Sequence, residues 1–150
     1  MQDEFFDKLS LLIHSQPEKV GKEFQDLVRI DDLVVELIRN LRSKYKIGVL
    51  TNSGSAFFRS ILDGHNLAEL FDEIVVSSEY KIAKPDPEIF KIMLKNLQGN
   101  ESEALFIDDN LSNVAAAKKL GMEAILFSNS DQLKNDLPNL GVNALSFGQR

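Results

Sequence analysis

Four short apolar segments alternate with amphipathic segments along most of this chain. The apolar segments are residues 47–50, 74–76, 104–107 and 124–127. Nearly continuous apolar character predicts strands that are covered on both faces, and helices between such strands predict parallel crossovers. The sequence therefore predicts an α/β fold with a parallel sheet between two layers of helices. Residues 142–147 are predicted as a short fifth strand, and no element is assigned to the polar residues 128–135.

The predicted helices carry recognisable boundary residues. Residues 2–29 show helical spacing that indicates a helical hairpin, and residues 31–43 form a third predicted helix. Asp86 is a predicted N-cap with Pro87 in the first turn of its helix. Gly121 is suited to the left-handed position that ends a helix over residues 111–120.

Composition restricts the classes of function. The 150 residues are 43% hydrophobic, enough for one globular domain. Twenty-three acidic residues against 17 basic ones give a net charge of -6, which disfavours a nucleic-acid partner. The absence of cysteine excludes disulfides and thiolate chemistry. Neither a signal-peptide pattern nor an apolar run of membrane length occurs, so we expect a cytoplasmic protein without a membrane partner.

Polar residues follow three of the predicted strands. They are Thr51 and Asn52 after the first, Lys84 in the loop after the second, and Asp108 with Asp109 after the third. Taken singly, each has an ordinary structural explanation as a turn, a solvated loop or a helix cap. Parallel strands, however, place their carboxyl ends at one edge of the sheet, where ligands bind.

Together these groups suit phosphoryl transfer. Two carboxylates can hold Mg²⁺, while a hydroxyl and an ammonium can bind the phosphoryl oxygens that carry negative charge. The turn over residues 51–54 offers backbone N–H groups at a helix start, a natural phosphate cradle. The sequence therefore predicts a site for a small phosphorylated metabolite.

Three segments resemble the motifs of one family in order and spacing. Residues 47–52, 84–90 and 106–113, the last followed by an Ala-rich helix and Gly121, resemble the second, third and fourth motifs of the haloacid dehalogenase (HAD)-like hydrolases. The form of these motifs is similar to the subfamily with a helical cap near the N-terminus. That subfamily includes sugar-phosphate phosphatases and the phosphatase domain of soluble epoxide hydrolases.

The resemblance implies a Rossmann-like core over residues 30–150, with residues 1–29 as part of a helical cap or its connecting helices. It also implies catalytic roles for Thr51, Lys84 and Asp108. Thr51 and Lys84 would bind the phosphoryl group. Asn52 and Ser53 are further candidates for substrate binding, although a structural role for Asn52 is an equal alternative.

The resemblance implies Mg²⁺ as the cofactor. Asp109 would ligate the ion, directly or through water, while Asp108 and Asn113 would orient the ligand shell.

One family motif has no counterpart here. The nucleophile of the family is the first aspartate of an Asp-x-Asp segment after an apolar strand, and the sequence contains no such segment. Asp31-Asp32 begins a predicted helix, and Asp3 and Asp7 lie in another, so none replaces it. We expect a truncated phosphatase that is inactive by itself. The alternative is a non-catalytic remnant that binds phosphate-like ligands or a partner chain.

In the family, the nucleophile strand lies between the strands that end at Thr51 and Asp108. Without it, we expect these neighbours to pair directly or to accept a strand from a second chain, which includes homo-oligomer formation through exposed edges. Residues 142–147 are a third, less favoured occupant. An open gap in which the facing edges of both strands are unpaired would contradict this expectation about the missing strand, because buried unpaired backbone groups are costly.

Two related functions fit less well. Signalling receiver domains combine the same residue types, but their acidic pair comes first, whereas here it comes last. A dehalogenase attacks carbon and needs no metal, yet this chain keeps two carboxylates at the metal position.

Overall fold

The computed structural model describes residues 22–23 and 26–142. Its helices are α1 (Asp32–Leu41), α2 (Ser55–Gly64), α3 (Ser77–Tyr80), α4 (Pro87–Leu97), α5 (Leu111–Lys119) and α6 (Ser130–Asp136). Its strands are β1 (Gly48–Thr51), β2 (Glu73–Val76), β3 (Leu105–Asp108) and β4 (Glu123–Leu126). Three short 3₁₀ turns cover Ala68–Leu70, Glu101–Glu103 and Leu137–Leu140. The predicted helical hairpin and fifth strand lie almost entirely outside the described residues.

Side-chain caps explain where several helices begin. Asp31 accepts hydrogen bonds from the N–H groups of Leu33 and Val34 at the start of α1. Asp86 caps α4, with Pro87 as its first residue, which confirms that prediction. After α5, Gly121 has a φ of +93°, in the left-handed region where glycine is favoured. Local chemistry thus sets the element boundaries next to the site.

Helix α6 is an element that the sequence analysis missed. Asn129 caps it by accepting from the N–H of Gln132 at 2.8 Å. Leu133 and Leu137 are four residues apart and both buried, in one cluster with Leu37 of α1. The polar composition of residues 128–135 concealed a helix with a narrow apolar stripe.

The strands form two separate parallel pairs. Strand β1 pairs with β2, and β3 pairs with β4, each over four residues. The predicted α/β fold with parallel strands is therefore confirmed. Among the described residues, β1 and β3 do not hydrogen-bond to each other, so the expectation of direct pairing is wrong.

Within the described residues, helices span the break between the two strand pairs, and parts of its edges are exposed. Phe90 of α4 packs edge-on against Phe106 of β3, with ring centroids 5.1 Å apart, while α4 also contacts β1 and β2. Gly48 in β1 is exposed, and Ile107 in β3 is 37% exposed. Exposure of these two residues lowers the cost of leaving their backbone groups without a partner.

Two apolar clusters cover the opposite faces of the strand pairs. On one face, Phe90 and Met93 of α4 pack with Val114 of α5 and with both strand pairs. On the other face, Leu37 and Leu41 of α1 pack with Ile125 of β4 and residues of α6. The polar strand ends lie beyond these clusters. None of the helices in the described part of the chain is long and apolar enough to cross a membrane.

Candidate active site

The candidate site lies at the carboxyl ends of β1 and β3. Thr51 is the last residue of β1, and Asp108 is the last residue of β3. Lys84 lies in the loop between α3 and α4, and its bond to Pro85 is cis. Asn113 lies in the first turn of α5. The fold therefore brings these residues to the same edge, as the sequence predicts.

Asn52 holds the backbone of Lys84 at two points. Its side-chain carbonyl accepts from the N–H of Lys84 at 2.9 Å, and its side-chain N–H donates to the C=O of Lys84 at 2.9 Å. Both ends of the Asn52 amide are thus engaged by one residue 32 positions away. This pairing connects the end of β1 to the loop that carries the lysine.

Lys84 extends from that loop to Asp108. Its Nζ lies 2.6 Å from Oδ2 of Asp108, and the two side chains are only 10% and 7% exposed. The same Nζ lies 5.6 Å from the centroid of the Phe106 ring, within range of a cation–π contact. A buried ion pair therefore links the β1–β2 side of the site to the β3–β4 side.

The other oxygen of Asp108 is also fully engaged. Oδ1 accepts from the backbone N–H of Asn110 at 2.8 Å and from Nδ2 of Asn113 at 3.0 Å. Burial raises the pKa of Asp108, but hydrogen bonds from Lys84, Asn110 and Asn113, together with the positive charge of Lys84, outweigh burial and lower this pKa below its ordinary value. Asp108 is therefore held as a carboxylate.

The loop after β1 is internally bonded. Oγ1 of Thr51 accepts from the N–H of Ser53 at 3.2 Å and donates to Oγ of Ser53 at 3.1 Å. The N–H of Ser55, at the start of α2, donates to Oγ of Ser78 at 3.1 Å. No hydrogen bond joins Thr51 to Lys84 within the described residues, although both lie at the same edge.

A second ion pair braces the start of α2. The guanidinium of Arg59 contacts both carboxylate oxygens of Glu79, at 2.8 Å and 3.1 Å. The hydroxyl of Ser55 donates to the same carboxylate. Hydrogen bonding from Ser55 is the main cause that lowers the pKa of Glu79, with Arg59 contributing and burial opposing. No local pattern in the sequence identifies this pair, which joins residues 20 positions apart.

Asp109 differs from its neighbour. It is exposed, and its carboxylate makes no hydrogen bond or ion pair with another described residue. No group of three or more His, Cys, Asp or Glu side chains converges there in the described chain. A free carboxylate beside a fixed one does fit Mg²⁺, which takes one or two protein carboxylates and completes its shell with water and phosphate oxygens.

Two contacts in the site, one of Lys84 with Phe106 and one of Asp108 with Asn110, were not predicted from the sequence. Phe106 precedes Asp108 by two residues, so both side chains point to the same face of β3; strand periodicity could have identified this contact. The N–H of Asn110 donates to Asp108, and the Asn110 side chain caps α5 by accepting from Ser112. An Asn directly before a helix is a recognisable cap signal.

Comparison with known proteins supports the family resemblance that the three sequence motifs indicate. Residues 2–127 match the family model described as haloacid dehalogenase-like hydrolase. A D-ribitol-5-phosphate phosphatase of Bacteroides thetaiotaomicron is 31% identical over 116 residues, which cover 72% of this chain and 55% of that protein. The chain spans about half the length of this phosphatase and of a sesquiterpene phosphatase of Aspergillus oryzae, 53%, and only 28% of a drimenol cyclase of Aspergillus calidoustus.

Solved structures agree on the fold. A HAD-like hydrolase from Porphyromonas gingivalis superposes with a TM-score of 0.76 at 26% identity, covering 93% of this chain and 73% of that one. A HAD family enzyme from Bacteroides thetaiotaomicron in complex with magnesium and inorganic phosphate gives a TM-score of 0.73 at 24% identity, over 87% of this chain and 72% of that one. The matching family model covers most of the sequence, and the chain belongs to the haloacid dehalogenase-like hydrolase family.

Proposed function

We propose that this chain forms most of the core of a Mg²⁺-dependent phosphatase that acts on a small phosphorylated metabolite. The observation that carries the proposal is the hydrogen-bonded series from Asn52 through Lys84 and Asp108 to Asn113 at the carboxyl edge. This series fixes one ammonium group beside a hydroxyl-bearing loop and two carboxylates. Positioned charges of this kind stabilise the transition state of phosphoryl transfer.

Lys84 and the loop after β1 would bind the phosphoryl group. The ammonium of Lys84 offsets negative charge on the phosphoryl oxygens, and its position is set by Asn52 and Asp108. The hydroxyls of Thr51 and Ser53 bond to each other in this structure, and each can turn its hydrogen to a phosphate oxygen instead. Asn52 acts through Lys84, because both ends of its amide are already engaged.

Asp109 would ligate Mg²⁺, with Asp108 and Asn113 orienting the shell. Asp108 has hydrogen-bond donors on both oxygens, whereas no described residue bonds to the carboxylate of Asp109. When bound, the ion supplies positive charge to the phosphoryl oxygens. In a version of the protein that carries the nucleophile, we expect Asp109→Asn to lose more Mg²⁺-dependent activity than Asp108→Asn. Equal losses would overturn this assignment.

The nucleophile has to come from polypeptide outside this sequence, because the sequence contains no Asp-x-Asp segment. Its carboxylate oxygen would attack phosphorus as the alcohol leaves, and water would then hydrolyse the phosphoaspartate. The absence of this segment also favours a second candidate function: a protein that binds phosphate-like ligands or a partner chain without turnover.

One experiment separates the two candidates. The 150-residue chain alone should show no Mg²⁺-dependent release of phosphate from an aryl phosphate. The same chain fused to a family strand that carries Asp-x-Asp should turn the substrate over, and the fusion with Asn in place of the first aspartate is the matched control. A fusion that folds and binds phosphate but stays inactive would favour the non-catalytic function. Turnover by the clean 150-residue chain would contradict the role of the missing aspartate.

A further inference from the structure

The first turn of α2 is held by a residue from a different segment of the chain. Gly54, the residue before α2, has an extended backbone, and as a glycine it has no side chain that could cap the helix. The N–H of Ser55, the first residue of α2, donates to Oγ of Ser78 at 3.1 Å. Ser78 lies in α3, which follows β2 directly. The position of the start of α2 therefore depends on α3 rather than on a local cap.

Glu79 adds a second connection between α3 and α2. One of its carboxylate oxygens accepts from the hydroxyl of Ser55 and from Nε of Arg59, the latter at 3.0 Å. Nε of Arg59 also lies 3.4 Å from Oγ of Ser55. These three side chains therefore contact one another, and the guanidinium of Arg59 reaches both oxygens of Glu79. We call Ser55, Arg59, Ser78 and Glu79 the loop clamp.

The loop clamp and Asn52 join the same two segments at two points. Asn52 bonds to the backbone of Lys84, while the loop clamp bonds the start of α2 to α3. Residues 52–55 are therefore bonded at both ends to residues 78–84. Because β1 and β2 are paired in parallel, both segments leave the sheet at its carboxyl edge. Ser53, a candidate for substrate binding, lies between the two attachment points.

Glu79 places a negative charge next to a loop that is a candidate anion site. Coulomb repulsion by this charge disfavours phosphate, and the paired Arg59 offsets it. The ion pair is partly exposed, so it contributes little to stability by itself. Neither attraction for the ligand nor stability of the fold explains this arrangement. The contacts favour a role in the geometry of the loop, on which binding of the phosphoryl group depends.

We propose that Glu79 is a positioning residue for phosphate binding: through Ser55 and Arg59 it holds the loop after β1 in the conformation that receives the phosphoryl group. The inference rests on the proposed function, because it assigns the phosphoryl group to that loop. Glu79 itself does not touch the phosphoryl group in this assignment. When the loop clamp opens, only a fraction of the molecules has the binding conformation, and the apparent affinity falls by that fraction.

Amide hydrogen exchange tests the loop clamp without any ligand. Glu79→Ala removes the acceptor that Ser55 and Arg59 share, and we expect the amide of Ser55 to exchange about fivefold faster or more. The amide of Phe127 bonds to the C=O of Asp108 at 2.9 Å in the β3–β4 pair. It should exchange at the wild-type rate, which shows that the variant is folded. An unchanged rate at Ser55 would overturn the proposal.

Binding of inorganic phosphate to the 150-residue chain, measured by calorimetry with Mg²⁺ present, tests the connection to the site. Glu79→Ala removes a negative charge, so Coulomb effects alone predict tighter binding. Loss of the positioning role predicts the opposite, about fivefold weaker binding. The matched control is Glu103→Ala, which removes an exposed, hydrogen-bonded glutamate from the turn before β3. This control should bind phosphate as the wild type does.

A double variant tests whether Ser55 acts through Glu79. Ser55→Ala should also weaken phosphate binding, because it removes a donor to the Glu79 carboxylate. The double variant Ser55→Ala with Glu79→Ala should bind no more weakly than Glu79→Ala alone. Losses that multiply would show that the Ser55 hydroxyl contacts phosphate directly, and they would overturn the proposal.

The two measurements separate failure of this proposal from failure of the proposed function. Phosphate binding that is unchanged or tighter in Glu79→Ala would overturn the positioning role, while the proposed phosphate site would stand. A wild-type chain that binds no phosphate would contradict the proposed site. In that case the exchange rate at Ser55 would still decide whether Glu79 holds the loop.

Discussion

Two ion pairs of similar length, one in the candidate site and one at the start of α2, have very different surroundings. Lys84 and Asp108 are 2.6 Å apart and 10% and 7% exposed. Arg59 and Glu79 are 2.8 Å apart and 48% and 32% exposed. Removing one partner of a buried pair is costly because the remaining charge is not solvated. The charges of an exposed pair are screened by water. The length of an ion pair alone therefore does not predict how much the pair contributes to stability.

The largest effect is expected from Asp108→Ala. This change leaves the buried ammonium of Lys84 without its carboxylate, and we expect the free energy of unfolding to fall by about 3–5 kcal/mol. Urea denaturation measures the loss. The double variant Lys84→Met with Asp108→Leu removes both charges and should be much more stable than Asp108→Ala alone. A single-variant loss below about 1 kcal/mol would show that this pair behaves like an exposed one.

Asn52→Ala should have the next largest effect. It removes both hydrogen bonds to the backbone of Lys84, and we expect unfolding to become easier by about 1–3 kcal/mol. Asn100→Ala is the control, because Asn100 is exposed and its side chain bonds only to nearby exposed residues. Similar losses in the two variants would mean that Asn52 does not position the lysine.

The pH dependence of stability should reveal the contribution of the Asp108 carboxylate. Its pKa is lower in the folded chain, so its contribution is fully present above the ordinary aspartate pKa of about 4 and is lost as pH falls through the lower folded value. We expect the stability difference between wild type and Asp108→Asn to shrink over that acidic range. Denaturation at a series of pH values measures it. A difference that stays constant with pH would be inconsistent with the lowered pKa.

The smallest effect is expected from Glu79→Gln. It weakens the exposed pair with Arg59, and we expect a loss of about 0.2–1 kcal/mol that decreases further in high salt. Thermal or urea unfolding at two salt concentrations tests this. A loss of stability as large as that of Asp108→Ala would show that the buried and the exposed pair contribute equally.

Much of the fold and of the site could be predicted from local patterns. Asp86 and Gly121 mark helix boundaries because capping and left-handed geometry depend on a few neighbouring residues. The sequence predicts that Lys84 and Asp108 lie at one edge of the sheet, because crossovers between parallel strands bring the carboxyl ends of the strands to the same edge. The Arg59–Glu79 pair and the Asn52–Lys84 pairing could not be predicted, because nothing local specifies a partner 20 or 32 residues away.

The sequence by itself determined the parallel α/β architecture, the family resemblance and the set of polar residues at the strand ends. The architecture follows from the apolar periodicity of short segments and from the crossovers between parallel strands, and the family resemblance rests on the motifs at residues 47–52, 84–90 and 106–113. Only the tertiary structure decided that Lys84 is buried against Asp108 and that, within the described residues, β1 does not pair with β3 and the Asp109 carboxylate has no partner. Those outcomes depend on how α1 and α4 pack across both strand pairs and on where water still reaches the backbone, and such long-range packing leaves no local pattern in the sequence.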